Sequence, residues 1–70
     1  MQENELRKNI ADNIRQYRAK QRISQEKLSE MTDISQQHIS NIENELVNPS
    51  IEVLLKISTA LNVTLNDLVY

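Results

Sequence analysis

Apolar side chains recur along this 70-residue chain at intervals of three or four residues, with polar residues between them. No stretch alternates apolar and polar residues in the manner of a half-buried β-strand. The pattern therefore predicts an all-α fold, in which short amphipathic helices pack around one modest core. The first apolar stripe at helical spacing consists of Leu6, Ile10, Ile14 and Tyr17.

Hydroxyl side chains mark the predicted helix starts. Ser24, Ser35, Ser50 and Thr64 each precede a helical pattern, and an N-cap hydroxyl can accept a hydrogen bond from a free N–H of the first turn. Asn62 is suited to a left-handed conformation after the fourth helix. The predicted fold is a compact five-helix bundle with helices at Leu6–Gln21, Gln25–Thr32, Gln36–Asn44, Ile51–Leu61 and Leu65–Val69.

The second, third and fourth helices contribute apolar side chains to the predicted core. A chain of this length buries only about 60% of its unfolded surface, so we expect marginal stability or help from dimerisation. Ile57 is expected to be partly exposed. The side chains expected to point inward are Leu28, Met31, Ile34, Ile39, Ile42, Ile51, Leu54, Leu55 and Leu61.

The composition argues against several classes of protein. There is no cysteine, and a single histidine without cysteine leaves no plausible zinc site. No apolar run approaches the roughly 20 residues of a membrane span, and the polar N-terminus does not resemble a signal peptide. The acidic residues are scattered and no nucleophile constellation is present. We expect one cytoplasmic, non-enzymatic domain over residues 1–70, without a cofactor, a small-molecule ligand or a membrane partner.

Charge is unevenly distributed along the chain, whose net charge is −2. Residues 1–27 carry a formal charge of +3 and residues 28–70 a formal charge of −5. One interpretation is that both halves simply present solvated faces. The other is that the N-terminal helices face phosphate, with Lys20, Arg22 and Lys27 as candidates for its neutralisation.

The predicted third helix combines buried apolar positions with an outer face of amides and hydroxyls. It follows Ser35 and opens with Gln36, Gln37 and His38. Glutamine and asparagine can pair bidentately with adenine, whereas a solvated face more often carries glutamate and lysine. A helix of about 10 residues is about 15 Å long and fits the major groove, which is about 12 Å wide. Sequence-specific binding of double-stranded DNA is the leading hypothesis, and a solvated polar face is the alternative.

Several short motifs occur in a specific order and spacing. Taken together, they resemble the phage-repressor-type helix-turn-helix family, also called the Cro/repressor or Xre family, from about residue 10 to residue 68. The resemblance implies a lambda-repressor-like DNA-binding domain. The motifs that carry it are Ile14–Arg18, Ser24–Leu28, Ile34–Glu43, Asn48–Ser50, Leu54–Ile57 and Ala60–Val63.

The resemblance also implies roles for individual residues. It assigns base reading to Gln36, Gln37 and Asn41, with Ser40 on the same face. His38 either points towards phosphate or is a surface histidine. Gln25 is expected to bind phosphate at the start of the second helix and to brace the third. The full set of expected backbone contacts is Gln25, Ser35, Arg18, Asn44 and Asn48.

Arg18 and Glu43 match a pair that forms an interhelical salt bridge in many family members. The alternative is two unrelated surface charges. The chain departs from the family where glycine is common, because it has Asp33 between helices two and three and Glu45 after helix three. Aspartate tolerates the left-handed conformation. After helix three, we expect Asn44 rather than Glu45 to adopt it.

The chain ends in an apolar segment with two interpretations. Its side chains either complete the core or form a two-fold dimer contact. If the segment forms the dimer contact, we expect a transcriptional repressor that binds the major groove of an inverted-repeat operator as a homodimer. The alternative function is a protein-interaction module, such as an antitoxin or adaptor. The expected dimer contacts are Leu65, Leu68, Val69 and Tyr70.

Overall fold

The computed structural model describes residues 3–70, and side chains from Asn4 onward. Over these residues the fold is all-α, which confirms the predicted fold class. Helix α1 begins three residues earlier than predicted, since the polar segment before Leu6 contains no helix breaker. Helix α3 ends one residue earlier. The helices are α1 Glu3–Gln21, α2 Gln25–Thr32, α3 Gln36–Glu43, α4 Ile51–Leu61 and α5 Leu65–Val69.

The predicted serine and threonine residues are the N-caps of the last four helices. Ser24, Ser35 and Ser50 each accept a hydrogen bond from the backbone N–H three residues later. Thr64 and Asp67 form a reciprocal capping box, in which each side chain bonds to the other residue's backbone. Each such cap stabilises its helix by about 1 kcal/mol. The caps therefore determine where α2 to α5 start.

A left-handed residue follows each of the helices α1 to α4. Asp33 and Asn62 adopt φ values of 60° and 59°, as expected. The expectation for Asn44 is wrong, because Asn44 has φ −96° and Glu45 has φ 63°. The reason is the hydrogen-bond register at the end of α3. The N–H of Leu46 donates to the carbonyl of Asn41, five positions earlier. This bond requires the residue before Leu46, which is Glu45, to be left-handed.

The buried apolar side chains form one cluster. Helix α1 packs against α3, α4 and α5, while α2 packs against α3 and α4. The half-buried Leu6 and Tyr17 lie at the edge of the cluster. The cluster consists of Ile10, Ile14, Leu28, Ile34, Ile39, Ile42, Leu54, Ile57, Leu61 and Leu68.

Four burial predictions are wrong, and three of them concern α4. Ile57 is fully buried rather than partly exposed. Ile51 and Leu55 were expected to point inward but are 62% and 48% exposed, and Met31 of α2 is 44% exposed. The core-facing side of α4 is instead the one that carries Leu54 and Ile57, and Ile51 and Leu55 lie beside it. Within residues 3–70, no helix is long and apolar enough to cross a membrane.

Candidate nucleic-acid interface

The N-terminal half of α3 presents the amide face that the sequence predicted. Ile39 is buried on the inner side of the helix. Gln36 and Gln37 are exposed on the outer side, and Ser40 and Asn41 are half-buried one turn later. The four polar side chains predicted to contact bases are thus on one short helix whose other side is fixed in the core.

Two of these amides are bonded to each other. The Nε2 of Gln37 donates to the Oδ1 of Asn41 at 3.0 Å, across one helical turn. An amide has two N–H donors and a carbonyl with two lone pairs, so this bond leaves both donor and acceptor capacity on the pair. The bond restricts both side chains without using up the groups that a base edge requires.

A shallow polar cleft connects α2 with α3. Its volume is about 290 Å³, and it is lined by Gln25, Gln36, Gln37 and Ser40. Gln25 is the first residue of α2, where backbone N–H groups are free to face an anion. The structure therefore places the expected phosphate-binding glutamine directly beside the expected base-reading glutamines.

A buried ion pair attaches the end of α3 to α1. Glu43 is only 2% exposed, and its two carboxylate oxygens accept from Nε and Nη2 of Arg18, both at 2.8 Å. Gln25 Nε2 also donates to Glu43, at 3.2 Å. The hydrogen bond to Glu43 raises the pKa of Arg18. The carboxylate on α3 is therefore compensated and does not stand as a free negative charge near the amide face of this helix.

Arg18 is largely occupied by these structural bonds. Besides the two bonds to Glu43, its Nη1 donates to the backbone carbonyl of Ile23 at 2.9 Å. A guanidinium has five N–H donors, so three of them serve the fold. Two N–H donors of Arg18 are left for a phosphate, and phosphate contact by Arg18 remains a prediction.

Arg15 was missed by the sequence reasoning. It lies one turn before Arg18 on α1, and its guanidinium donates both to the backbone carbonyl of Glu43 and to Asp12. The carbonyl of Glu43 is one of those at the C-terminus of α3 that have no partner within the helix. The signal available in the sequence was the spacing, because two arginines three residues apart share a helix face.

The other expected backbone contacts lie at the two ends of α3. Ser35 uses its hydroxyl to cap α3. Asn44 Nδ2 donates to Ser40 Oγ at 3.3 Å, and Asn48 Oδ1 accepts from Nε of Arg7 at 2.9 Å. Arg7 therefore brings a positive charge to the loop, which the sequence pattern had not indicated.

The remaining basic side chains near α2 are exposed. Lys27 is 3.8 Å from the carboxylate of Glu30, and the ammonium of Lys20 lies 5.6 Å from the ring centre of Tyr17. His38 is half-buried in the first turn of α3. Among the described residues, no group of three or more His, Cys, Asp or Glu side chains could hold a metal ion.

The apolar C-terminal segment divides between core and surface. Leu68 is fully buried, so it is not available to a second subunit and is removed from the expected dimer contact. Its carbonyl accepts from Asn13 of α1, which fixes α5 against α1. Leu65 and Val69 are half-buried against the core, and Tyr70 is 80% exposed.

A helix-turn-helix family model, HTH_3, matches residues 14–68 of this chain. The chain belongs to this Xre/Cro-like helix-turn-helix family. The match includes α2, the turn at Asp33 and α3, which together form the motif. HTH_3 membership confirms the resemblance seen in the sequence, and the protein is a DNA-binding transcription regulator of helix-turn-helix type.

The solved structures that are similar to this one include those of two bacterial proteins. A hypothetical transcription factor, NHTF, from Neisseria superposes with a TM-score of 0.91 at 27% identity, covering 100% of this chain and 80% of that chain. The restriction-modification controller protein C.AhdI from Aeromonas hydrophila has a TM-score of 0.84 at 24% identity, covering 89% of this chain and 94% of that chain. At that identity the second likeness shows the fold alone. No curated protein sequence gives a significant match to this HTH_3 member.

Proposed function

We propose that this protein is a repressor that binds an inverted-repeat operator as a homodimer, with α3 of each copy in the major groove. The observation that carries the proposal is the exposed amide face of α3, adjacent to Gln25 at the start of α2. Glutamine and asparagine offer the donor and acceptor together that adenine requires. A solvated helix face would not need two glutamines at its N-terminus.

Base reading is assigned to the first two turns of α3. Gln36 and Gln37 face base edges at the N-terminal end, and Ser40 and Asn41 follow one turn later. Helix-turn-helix proteins contact bases with this part of the recognition helix. Because Gln37 and Asn41 are already bonded, the pair enters the groove with less side-chain freedom to lose.

Phosphate contacts position the protein on both sides of α3. Gln25 and the free N–H groups of α2 face one strand, while Asn44 and Asn48 approach from the α3–α4 loop. Ser35 and Arg18 complete the proposed set. Most of these groups are neutral, so we expect a modest salt dependence of affinity, with a slope of about −0.9 for each phosphate that a cation neutralises.

Dimerisation compensates for this weak electrostatic term. When one subunit occupies its half-site, the second half-site is presented to the other subunit at high effective concentration. Two α3 helices related by a two-fold axis contact half-sites about 34–36 Å apart, which is one duplex turn. Repression follows if such an operator overlaps a promoter, because the bound dimer then excludes polymerase.

Selection of bound sequences from a random duplex pool tests the proposal. We expect enrichment of an inverted repeat whose half-sites are about 10 base pairs apart, centre to centre. Transcription in vitro from a promoter that contains the selected sequence should decrease as protein is added. Recovery of no enriched sequence would contradict base reading, and increased transcription would contradict repression.

A further inference from the structure

A second concave surface lies at the opposite end of α2 from Gln25. We call it the α4 groove; its volume is about 420 Å³, and it runs between the C-terminus of α2 and the outer face of α4. Met31, Leu55, Thr59 and Ala60 line it. Met31 and Leu55 were expected in the core, yet about half of each residue's surface is open to solvent. Together, Met31 and Leu55 give the groove an exposed apolar surface.

The charges on the α4 groove form a self-complementary pattern. Glu52 and Lys56 are one turn apart on α4, with Oε1 and Nζ separated by 4.0 Å and side chains 82% and 49% exposed. An exposed pair at this distance contributes little to the stability of a single chain. The two charges cancel, so two such faces can approach each other even though residues 28–70 carry a charge of −5.

We infer that the α4 groove is where a second copy of this chain binds, across a two-fold axis with the two α4 helices antiparallel. An axis that passes near Leu55 brings the Leu55 side chains of the two copies together. It also sets Glu52 of each copy opposite Lys56 of the other, so that two ion pairs form between the copies. A two-fold contact uses the same patch twice, which requires this kind of self-complementarity.

The inference deepens the proposed function, because it assigns the homodimer to a surface other than α5. With Leu68 in the core, the C-terminal segment offers mainly Tyr70, the residue after α5, to a partner. The groove also leaves the DNA-reading face open. Helix α2 carries Gln25 at the polar cleft and Met31 at the groove, and its eight residues separate the two surfaces by about 10 Å.

The size of the groove predicts a weak dimer. Helix α4 has eleven residues and is about 16 Å long, so a face two helices wide covers about 300–400 Å². A stable interface usually buries about 800 Å² on each partner. The free protein should therefore exchange between monomer and dimer, and an operator with two half-sites should favour the dimer.

Sedimentation equilibrium of the full chain provides the first test. We expect Leu55→Glu to raise the dimer dissociation constant by about thirtyfold or more, because each copy then places a charge at the centre of the interface. Tyr70→Glu, at the residue after α5, is the matched control and should leave the constant within about twofold. Circular dichroism establishes that each variant is folded. Loss of the dimer with Tyr70→Glu but not with Leu55→Glu would overturn the inference.

Charge exchange provides a second test that does not alter the apolar contact. Glu52→Lys and Lys56→Glu should each weaken self-association about tenfold, since each places like charges opposite one another. An equimolar mixture of the two variants should associate again as a heterodimer, and the double variant should dimerise like the wild type. If neither the equimolar mixture nor the double variant associates, the two-fold arrangement is overturned.

The two proposals can fail separately. If the wild type selects no DNA sequence but these variants change its dimerisation as described, the proposed function fails and the groove assignment stands. If the wild type binds an inverted repeat but remains monomeric at all concentrations and on DNA, the groove assignment fails. The groove would then be left to a different protein partner.

Discussion

Replacement of Glu45 by glycine should stabilise the fold. Glu45 lies in the left-handed region, at φ 63°. The N–H groups of Glu45 and Leu46 donate to the carbonyls of Ile42 and Asn41 at 3.1 and 2.9 Å, and this pair of bonds requires the conformation. The side chain of Glu45 is exposed, so its removal takes no packing from the core.

The magnitude follows from two opposing effects. A β-carbon in the left-handed region costs roughly 1–2 kcal/mol, which glycine avoids. Glycine also has more freedom in the unfolded chain, which offsets about 0.4–1 kcal/mol of the gain. The net expectation is an increase of about 0.5–1 kcal/mol in the free energy of unfolding, or about 2–8 °C in Tm for a domain of this size.

Urea denaturation and thermal melting of Glu45→Gly and Glu45→Ala distinguish two causes of a change in stability. One is the removal of the β-carbon from a left-handed residue, and the other is the loss of the carboxylate charge. Alanine keeps the β-carbon and removes the carboxylate, so Glu45→Ala should show none of the backbone gain. If alanine stabilised the protein as much as glycine does, the charge and not the conformation would be responsible. A lower stability for Glu45→Gly would show that the conformational argument itself is wrong.

Three further predictions concern the ion pair, base reading and acid stability. Glu43→Ala should destabilise the fold by about 2–4 kcal/mol, because it leaves Arg18 partly buried without its partner; chemical denaturation with Arg18→Ala and the double variant should show non-additive losses. Gln37→Ala should cost about 1–3 kcal/mol at one operator base pair, measured by titration across single-base variants. The hydrogen bond from Lys8 holds the pKa of Asp12 below its usual 3.8. The stability that Asp12 contributes is therefore present above about pH 4 and is lost as the pH falls further. Urea denaturation midpoints measured between pH 2 and 5 should show this loss.

Matched variants serve as controls for these three predictions. Additive, small losses in the double-mutant cycle would mean that Arg18 and Glu43 are not coupled. Gln16→Ala removes an exposed glutamine from α1 and should leave the operator profile unchanged; an unchanged profile for Gln37→Ala as well would exclude Gln37 from base reading. Asp12→Asn should remove the acid dependence attributed to Asp12, and persistence of the full dependence would assign it to other groups.

The sequence determines the helix starts more reliably than the face that each helix buries. Serine or threonine at an N-cap satisfies a local requirement, and the starts of α2 to α5 were predicted from it. Helix α4 is apolar on most sides, so its periodicity does not select one face. The packing of α1, α2 and α5 makes that choice, and it buries Ile57 while exposing Ile51 and Leu55.

The candidate site shows the same division between local and long-range information. The helix that carries the amide face was predicted, because its cap and periodicity lie within ten residues. The bond from Arg15 to the carbonyl of Glu43 joins residues 28 positions apart and depends on how α1 crosses α3. The choice of Glu45 over Asn44 depends on the hydrogen-bond register at the end of α3, which either residue type would permit.

Anchoring and the proposed base recognition occupy opposite ends of α3. The last residue, Glu43, is held by Arg15, Arg18 and Gln25, whereas the exposed Gln36 and Gln37 at the first turn take no part in the core. Exposed substitutions away from such anchors usually change stability by no more than about 0.5 kcal/mol. If the amides read bases as proposed, mutational drift can exchange them for other side chains and so change the target site, while the scaffold remains intact. A lineage of such proteins could diversify its operators without passing through unfolded ancestors.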